Sequence, residues 1–282
     1  MSKWNMIITG ERCINCNNCV IAAKDEYVGN EFPGYSAPAG ATDDTMLRIL
    51  RRVQGAPPMV ETAYLPVMCN HCDDAPCKRV GGDAVIKRPD GIVIIDPVKA
   101  RGRKDIVRSC PYKAIVWNEQ QQVPQTWIFD AHLLDQGWDK PRCQQSCPTG
   151  VFEAVKLDDA AMQEKAASEG LRVLLPKLGA QPRVWYRGLE NWEDCFIGGS
   201  VSSRQYGLVD CVAGACVTLS RAGRKLAETT TDSFGDFRFG GLAAKSGGYC
   251  VEVTHGGMTL TKECELDESV YLGEMRFEVV TG

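Results

Sequence analysis

Fourteen cysteines against three histidines restrict this 282-residue chain more than any other feature of its sequence. Disulfide frameworks are typical of short secreted chains, and this chain is long. Many of the early cysteines are separated by only two residues, and this spacing is poorly suited to a disulfide between them. The pattern therefore favours thiolate ligation of metal over disulfides in the first part of the chain. The cysteines concerned are Cys13, Cys16, Cys19, Cys69, Cys72, Cys77, Cys110, Cys143 and Cys147.

Two groups of three cysteines and two separate Cys-Pro pairs predict two four-thiolate sites. In bacterial ferredoxins a closely spaced run supplies three ligands of a cubane cluster, and a distant Cys-Pro supplies the fourth. The crossed arrangement of such duplicated modules predicts which lone cysteine completes which run. Quartet 1 comprises Cys13, Cys16, Cys19 and Cys147. Quartet 2 comprises Cys69, Cys72, Cys77 and Cys110.

Structural zinc is the alternative ligand for four thiolates, but it typically binds two close cysteine pairs. Two runs of three with remote Cys-Pro pairs fit two [4Fe–4S] clusters better. A cubane held by four thiolates has no open iron for a substrate, so it transfers electrons. The sequence also has no glycine-rich nucleotide loop and no nucleophile elbow. We therefore predict electron transfer and no catalytic residue in this chain.

Charge and hydropathy exclude several other classes. The net charge of −4 gives no basic footprint for nucleic acid. No apolar run is long enough for a spanning helix, and the N-terminal residues lack the pattern of a secretion signal. We therefore predict a cytoplasmic protein. The alternative is export to the periplasm together with a partner that carries a signal sequence.

The sequence changes character after about residue 198. Residues 1–197 are predicted to form the iron–sulfur domain, with an exposed helix over Asp158–Glu169. Residues 198–282 are predicted to form an antiparallel β-sandwich, because short alternating runs are separated by turn residues. Within it Thr229–Phe239 resembles a hairpin of the transthyretin-like and carboxypeptidase-regulatory-like sandwiches. The fold class is therefore α+β, a duplicated ferredoxin-like domain followed by an all-β domain.

The order of the cysteine segments resembles that of the iron–sulfur β subunits of the dimethyl-sulfoxide-reductase class of molybdopterin enzymes. Closer still is the resemblance to small subunits of pyrogallol–phloroglucinol transhydroxylases and resorcinol-type hydroxylases. Segments outside the ligand runs extend it over nearly the whole chain. They include Pro33-Gly34-Tyr35, Asp90–Pro97, Trp117-Asn118-Glu119, Ala131–Asp135 and Pro141-Arg142-Cys143.

This resemblance implies a heterodimer with a large catalytic subunit that carries a molybdenum or tungsten bis-pyranopterin. It implies polyhydroxylated aromatic substrates and either transhydroxylation or hydroxylation. The alternatives are an electron-transfer subunit for another substrate of the same class, or a free-standing ferredoxin-like carrier.

The departures from the family pattern concern two further cluster modules. One should place cysteines at Ala100, Arg103 and Ile106, and all three are absent. The other, called the third site here, should have its ligands at four positions of which only the last is still a thiol. Those positions are Ala23, Trp127, Asp130 and Cys143. The resemblance therefore implies that the third site has lost its cluster, with a residual metal at Asp130 and Cys143 as the less favoured alternative.

The remaining candidate residues have ordinary structural interpretations. His71 lies between two predicted ligands and is expected near the cluster or at the surface, whereas His132 is expected in the core or an interface. Asp73 and Asp74 are expected to be solvated acids or to lower the potential of the adjacent cluster. The later cysteines are expected to be buried free thiols, with disulfides as the alternative. They are Cys195, Cys211, Cys216, Cys250 and Cys264.

Overall fold

The computed structural model describes residues 1–41 and 45–278 and divides the chain into two compact units. The first comprises Met1–Arg51 and Tyr64–Leu189, and the second comprises Arg52–Ala63 and the chain from Glu190 onward. The predicted boundary between residues 197 and 198 stays a prediction. The two compact units divide the chain differently from this boundary. Arg52–Ala63 belongs to the second unit, and residue 197 lies inside a strand of that unit, Cys195–Gln205.

The first unit is built from short strands and helices joined by cysteine-bearing loops. Its strands are β1 Lys3–Thr9, β4 Val85–Lys87, β5 Val93–Ile95, β6 Val116–Asn118, β7 Val123–Gln125, β8 Phe152–Leu157 and β9 Val184–Arg187. Its helices are α1 Asn18–Tyr27, α2 Pro76–Gly81, α3 Lys104–Arg108, α4 Ala131–Leu134, α5 Arg142–Ser146 and α6 Asp159–Ser168. Strands β2 Arg48–Ala56 and β3 Met59–Val67 form the hairpin whose tip belongs to the second unit.

A three-stranded sheet in the order β8-β1-β9 forms the base of the first unit. The central strand β1 carries the run Met6–Ile8, whose side chains are fully buried, as expected for a strand covered on both faces. Helix α6 covers one face, where Met162 packs with Ile7. The Asp158 carboxylate begins this helix by accepting a hydrogen bond from the Ala161 amide at 2.9 Å. The helix predicted over Asp158–Glu169 is confirmed.

The second unit contains two four-stranded sheets that share one apolar core. Its elements are α7 Glu190–Glu193, β10 Cys195–Gln205, β11 Leu208–Cys211, β12 Cys216–Arg221, β13 Arg224–Thr230, β14 Asp236–Leu242, β15 Gly247–His255, β16 Met258–Leu266 and β17 Val270–Glu278. One sheet has the order β13-β12-β15-β16; in the other, β11, β14 and β17 all pair with β10. Alternate residues of β15, namely Tyr249, Val251 and Val253, point into the core.

Two details of this unit differ from the sequence predictions. Strands β10 and β17 pair in parallel, so the domain is not wholly antiparallel. The reason is the connection, because β17 follows β16 of the other sheet and therefore reaches β10 by a crossover and not by a hairpin. Thr229–Phe239 is also not a hairpin, because β13 pairs with β12 while β14 pairs with β10 in the other sheet. The Thr231 hydroxyl stabilises this crossing by donating to the Val212 carbonyl at 2.6 Å.

Candidate iron–sulfur sites

Quartet 1 lies where the loop after β1 enters helix α1. Asn15 and Asn17, which separate its three close cysteines, have positive φ angles of 57° and 62°. Asparagine adopts this left-handed conformation more readily than most residues. The Asn17 side chain stabilises the loop by donating to the Asn15 carbonyl at 3.0 Å. The loop therefore winds tightly at the two positions between the sulfur-bearing residues.

The fourth cysteine of this quartet, Cys147, follows helix α5, which packs against α1. Burial, with the nearby charges of Cys13, Cys147 and then Cys16, raises the pKa of Cys19 to about 12. The close run and the distant Cys-Pro therefore bring their thiols within electrostatic reach of each other. Cys16 is exposed, Cys13 is half-buried and Cys19 is buried.

Quartet 2 is more deeply enclosed. Cys69 and Cys72 are buried, whereas Cys77 in α2 and Cys110 after α3 are half-buried. Burial and the charges of Cys77 and Cys110 raise the pKa of Cys72 to about 12. Burial and then Cys110 raise the pKa of Cys77 to about 11. Burial and the charges of Cys77, Cys110 and Cys72 also raise the pKa of Cys69. Cys72 and Cys77 share one cluster of packed side chains, and Cys77 and Cys110 pack against another.

The two lone cysteines share one local geometry. The amide of Val151 donates to the Cys147 sulfur at 3.4 Å, and the amide of Ala114 donates to the Cys110 sulfur at 3.4 Å. In each case the donor is four residues after the cysteine. A backbone N–H held against sulfur stabilises the thiolate form, which is the form that binds metal.

The chemistry of these donor sets fits a four-thiolate metal group. A thiol with a raised pKa is protonated at neutral pH, because burial disfavours a thiolate there and the neighbouring thiolates would repel it. A bound metal supplies the positive charge that compensates this repulsion and deprotonates the thiol. Across residues 1–41 and 45–278, no three Cys, His, Asp or Glu side chains are placed to hold a single metal ion.

Basic residues surround the acid beside quartet 2. Asp73, which follows Cys72, is paired with Lys87 at 2.8 Å, with Lys3 at 3.3 Å and with Arg183 at 2.7 Å. Despite partial burial, the hydrogen bonds and charges of Arg183 and Lys87 lower its pKa. Asp73 is therefore an ionised group neutralised by three cations and not a solvated acid. No local pattern in the sequence could indicate this, because Arg183 lies 110 residues from Asp73.

Both histidines singled out in the sequence are buried. The His71 ring is 2% exposed, and its Nδ1 accepts a hydrogen bond from the Val93 amide at 3.1 Å. Burial, and then the charges of Lys87 and Arg183, hold its pKa well below the usual range, so the ring is neutral. His132 is a core residue as predicted, with its Nε2 2.8 Å from Glu26 Oε1.

The four positions of the third site lie together in a closed core. Trp127, Asp130, Cys143 and Ala23 are 0%, 1%, 1% and 7% exposed. Asp130 accepts hydrogen bonds from the Tyr27 hydroxyl at 2.7 Å, from Trp127 Nε1 at 3.2 Å and from the Arg142 amide at 2.8 Å. The Asp130 carboxylate is thus fully engaged with protein donors.

The later cysteines are all free thiols. Cys195 is buried in the core of the second unit, and Cys264 packs against that core. Cys211 is exposed, so the expectation of burial fails for this residue, which lies on the short strand β11. No helix in residues 1–41 and 45–278 has both the length and the apolar character needed to span a bilayer.

Comparison with known proteins identifies related iron–sulfur subunits. Residues 60–157 match the sequence family described as the 4Fe-4S dicluster domain. The chain is 38% identical over 277 residues to the pyrogallol hydroxytransferase small subunit of Pelobacter acidigallici. This alignment covers 97% of this chain and 98% of that protein. It is 30% identical over 194 residues to a tetrathionate reductase subunit of Salmonella typhimurium, which covers 67% of this chain and 74% of that protein.

Among solved structures, the chain resembles Klebsiella pneumoniae 5-hydroxyisourate hydrolase at 16% identity over 30% of this chain and 87% of that one. The TM-score of this likeness is 0.26, which is too low to identify the fold of the β unit.

Proposed function

The chain belongs to the family of iron–sulfur subunits that includes the pyrogallol hydroxytransferase small subunit, and from this we propose that it carries two [4Fe–4S] clusters and relays electrons. Quartet 1 would hold one cluster and quartet 2 the other. When bound, each cluster would accept or release one electron at a time. The single observation that carries the proposal is that each close run meets its distant cysteine in the fold: α5, whose C-cap is Cys147, packs on α1, and Cys77 and Cys110 pack against the same apolar cluster.

The protein residues would supply ligands, charge balance and enclosure. Amides at Val151 and Ala114 stabilise the lone thiolates, while Arg183, Lys87 and Lys3 neutralise Asp73 beside quartet 2. Ala180 and Tyr112 pack with Cys72 and cover that quartet. A covered, fully ligated cluster cannot bind substrate, so substrate chemistry belongs elsewhere.

We propose that the substrate chemistry takes place in a large partner subunit that carries a molybdenum or tungsten bis-pyranopterin cofactor. The name of the Pelobacter relative supports a polyhydroxylated aromatic substrate and transfer of a hydroxyl group. For the second unit we propose the transthyretin-like class and a role in docking or packing, with its two four-stranded sheets around one apolar core as the support.

A second candidate is an electron-transfer subunit for an inorganic or sulfur substrate of the same enzyme class. Its support is the relationship to the tetrathionate reductase subunit over two thirds of the chain. Assay of the purified complex with pyrogallol and with tetrathionate would distinguish the two candidates.

Purification of the tagged chain without oxygen tests the proposal. We expect about eight iron and eight sulfide per chain, a cubane EPR signal on reduction, and a larger co-purifying subunit that contains the pterin. Stoichiometric zinc in place of iron, or a chain that never co-purifies with a larger subunit, would contradict it.

A further inference from the structure

A continuous line of contacts leaves quartet 2 through His71. The His71 amide lies 3.5 Å from the Cys69 sulfur, to which it donates, and the His71 ring is fully enclosed. The centroid of this ring is 5.5 Å from that of Trp127. Phe129 stacks on Trp127 with centroids 4.9 Å apart, which leaves the rings closely packed. The first half of the line therefore consists of bonds and packed π-systems.

The second half of the line runs from Trp127 to quartet 1. The indole Nε1 of Trp127 donates to Asp130 Oδ1 at 3.2 Å, and Asp130 Oδ2 accepts from the Arg142 amide at 2.8 Å. Arg142 is bonded to Cys143. Cys143 lies in helix α5, whose C-cap is Cys147 and which packs against α1, the helix that carries Cys19. The line from Trp127 thus leads to the two helices that carry ligands of quartet 1.

The ring of His71 is fixed in this line by one hydrogen bond and by packing. Its Nδ1 accepts from the Val93 amide at 3.1 Å, and its centroid lies 5.5 Å from that of Phe129. The ring is therefore held in one orientation against Trp127.

We propose that Trp127, linked to His71 on one side and to Asp130 on the other, provides the electronic coupling between the two clusters. The inference rests on the proposed function, since it requires a cluster at each quartet. One electron leaves the reduced cluster at one quartet and reaches the oxidised cluster at the other. Trp127 is neither oxidised nor reduced, and no bond is formed or broken.

The physical reason is that electron tunnelling is faster through bonded and packed atoms than across gaps. Trp127 is a large, fully buried aromatic side chain that contacts His71 on one side and Asp130 on the other. A smaller aliphatic residue would fill the volume less well and would lose both the ring contact with His71 and the hydrogen bond to Asp130.

The test is the rate at which an electron redistributes between the clusters of the complete chain. A photogenerated reductant would inject less than one electron per chain, and rapid-freeze EPR would follow each cluster. Reference spectra come from variants that lack one cluster. We expect Trp127→Leu to redistribute the electron several-fold more slowly than the wild type. Trp185→Leu is the matched control, because Trp185 is a half-buried tryptophan of the same unit outside the line.

The iron content and the two midpoint potentials are measured in every variant. Because the difference between the potentials sets the driving force for electron transfer, a slower rate at unchanged potentials reports weaker electronic coupling. If Trp127→Leu keeps both clusters and both potentials yet redistributes the electron as fast as the wild type, the relay is wrong and the proposed function stands. If the wild-type chain itself has no clusters, the proposed function fails. If Trp127→Leu does not fold, Trp127→Phe decides, since it keeps a ring but loses the bond to Asp130. An unchanged rate in that variant overturns the relay.

Discussion

The indole Nε1 of Trp127 donates a hydrogen bond to Oδ1 of Asp130 at 3.2 Å in the core of the first unit. Both residues occupy positions at which the family pattern has cluster ligands. With Tyr27 and the Arg142 amide as further donors, the carboxylate organises the buried side chains around it. These positions therefore form part of the core of the first unit.

Asp130→Ala should destabilise the first unit substantially. It leaves the Tyr27 hydroxyl, the Trp127 indole N–H and the Arg142 amide buried without an acceptor, at a cost of about 3 kcal/mol or more. Because burial raises the pKa of Asp130, an uncharged amide is a smaller change, and Asp130→Asn should cost less. Urea unfolding followed by circular dichroism measures both, and equal stability of Asp130→Ala and the wild type would contradict the network.

Cys110→Ala should remove one cluster and leave the other. Iron should fall from about eight to about four atoms per chain, because quartet 2 loses its fourth thiolate. Iron analysis and EPR of the reduced chain measure this change. A variant with unaltered EPR signals would show that Cys110 is not a ligand.

Cys143→Ala is the matched substitution at the third site and should leave about eight iron atoms and both signals. Cys143 is buried beside Asp130, which interacts with it electrostatically, but Asp130 is already occupied by protein donors. Loss of a cluster in Cys143→Ala would overturn the assignment of Cys147 and Cys143 between the sites.

Asp73→Asn should raise the midpoint potential of the cluster at quartet 2. The change removes one negative charge and leaves Arg183, Lys87 and Lys3 less compensated, which favours the reduced cluster. One charge about 10 Å away contributes roughly 0.4–1.7 kcal/mol between water-like and protein-like dielectric constants, or tens of millivolts.

A potentiometric EPR titration measures this shift. Asp74→Asn is the control, because Asp74 lies one residue further along and pairs with Arg79 at the surface. A larger shift for Asp74→Asn than for Asp73→Asn would contradict the charge argument.

Iron should leave the isolated chain faster as the pH falls. Thiols with a pKa of about 12 at Cys72 and about 11 at Cys77 bind protons strongly once the metal is gone. Because raised pKa values mean a greater proton affinity, protons compete better with iron at pH 6 than at pH 8. The rate of iron capture by a coloured chelator at each pH measures this, and a slower loss at pH 6 would contradict it.

The same chelator should empty quartet 1 before quartet 2. Cys16 is exposed to solvent, whereas Cys69 and Cys72 are buried. EPR spectra taken during chelation identify the cluster that disappears first. Earlier loss of the signal that Cys110→Ala abolishes would contradict this order.

The sequence by itself determined the helix over Asp158–Glu169 and the strand-rich second unit, and it predicted the ligand pattern. Ligand spacing and alternation of apolar residues are local properties, so they can be read from neighbouring positions. The runs around Cys13 and Cys69 are of this kind, because gaps of two to four residues keep the cysteines of each run near one another along the chain.

Only the tertiary structure decided how distant segments meet. It showed that Asp73 is neutralised by Arg183, that Thr229–Phe239 crosses between sheets, and that Trp127 joins His71 to Asp130. These outcomes depend on packing and charge pairing between residues far apart in sequence. A burial pattern or a charge identifies a residue that needs a partner, but only the assembled fold selects the partner.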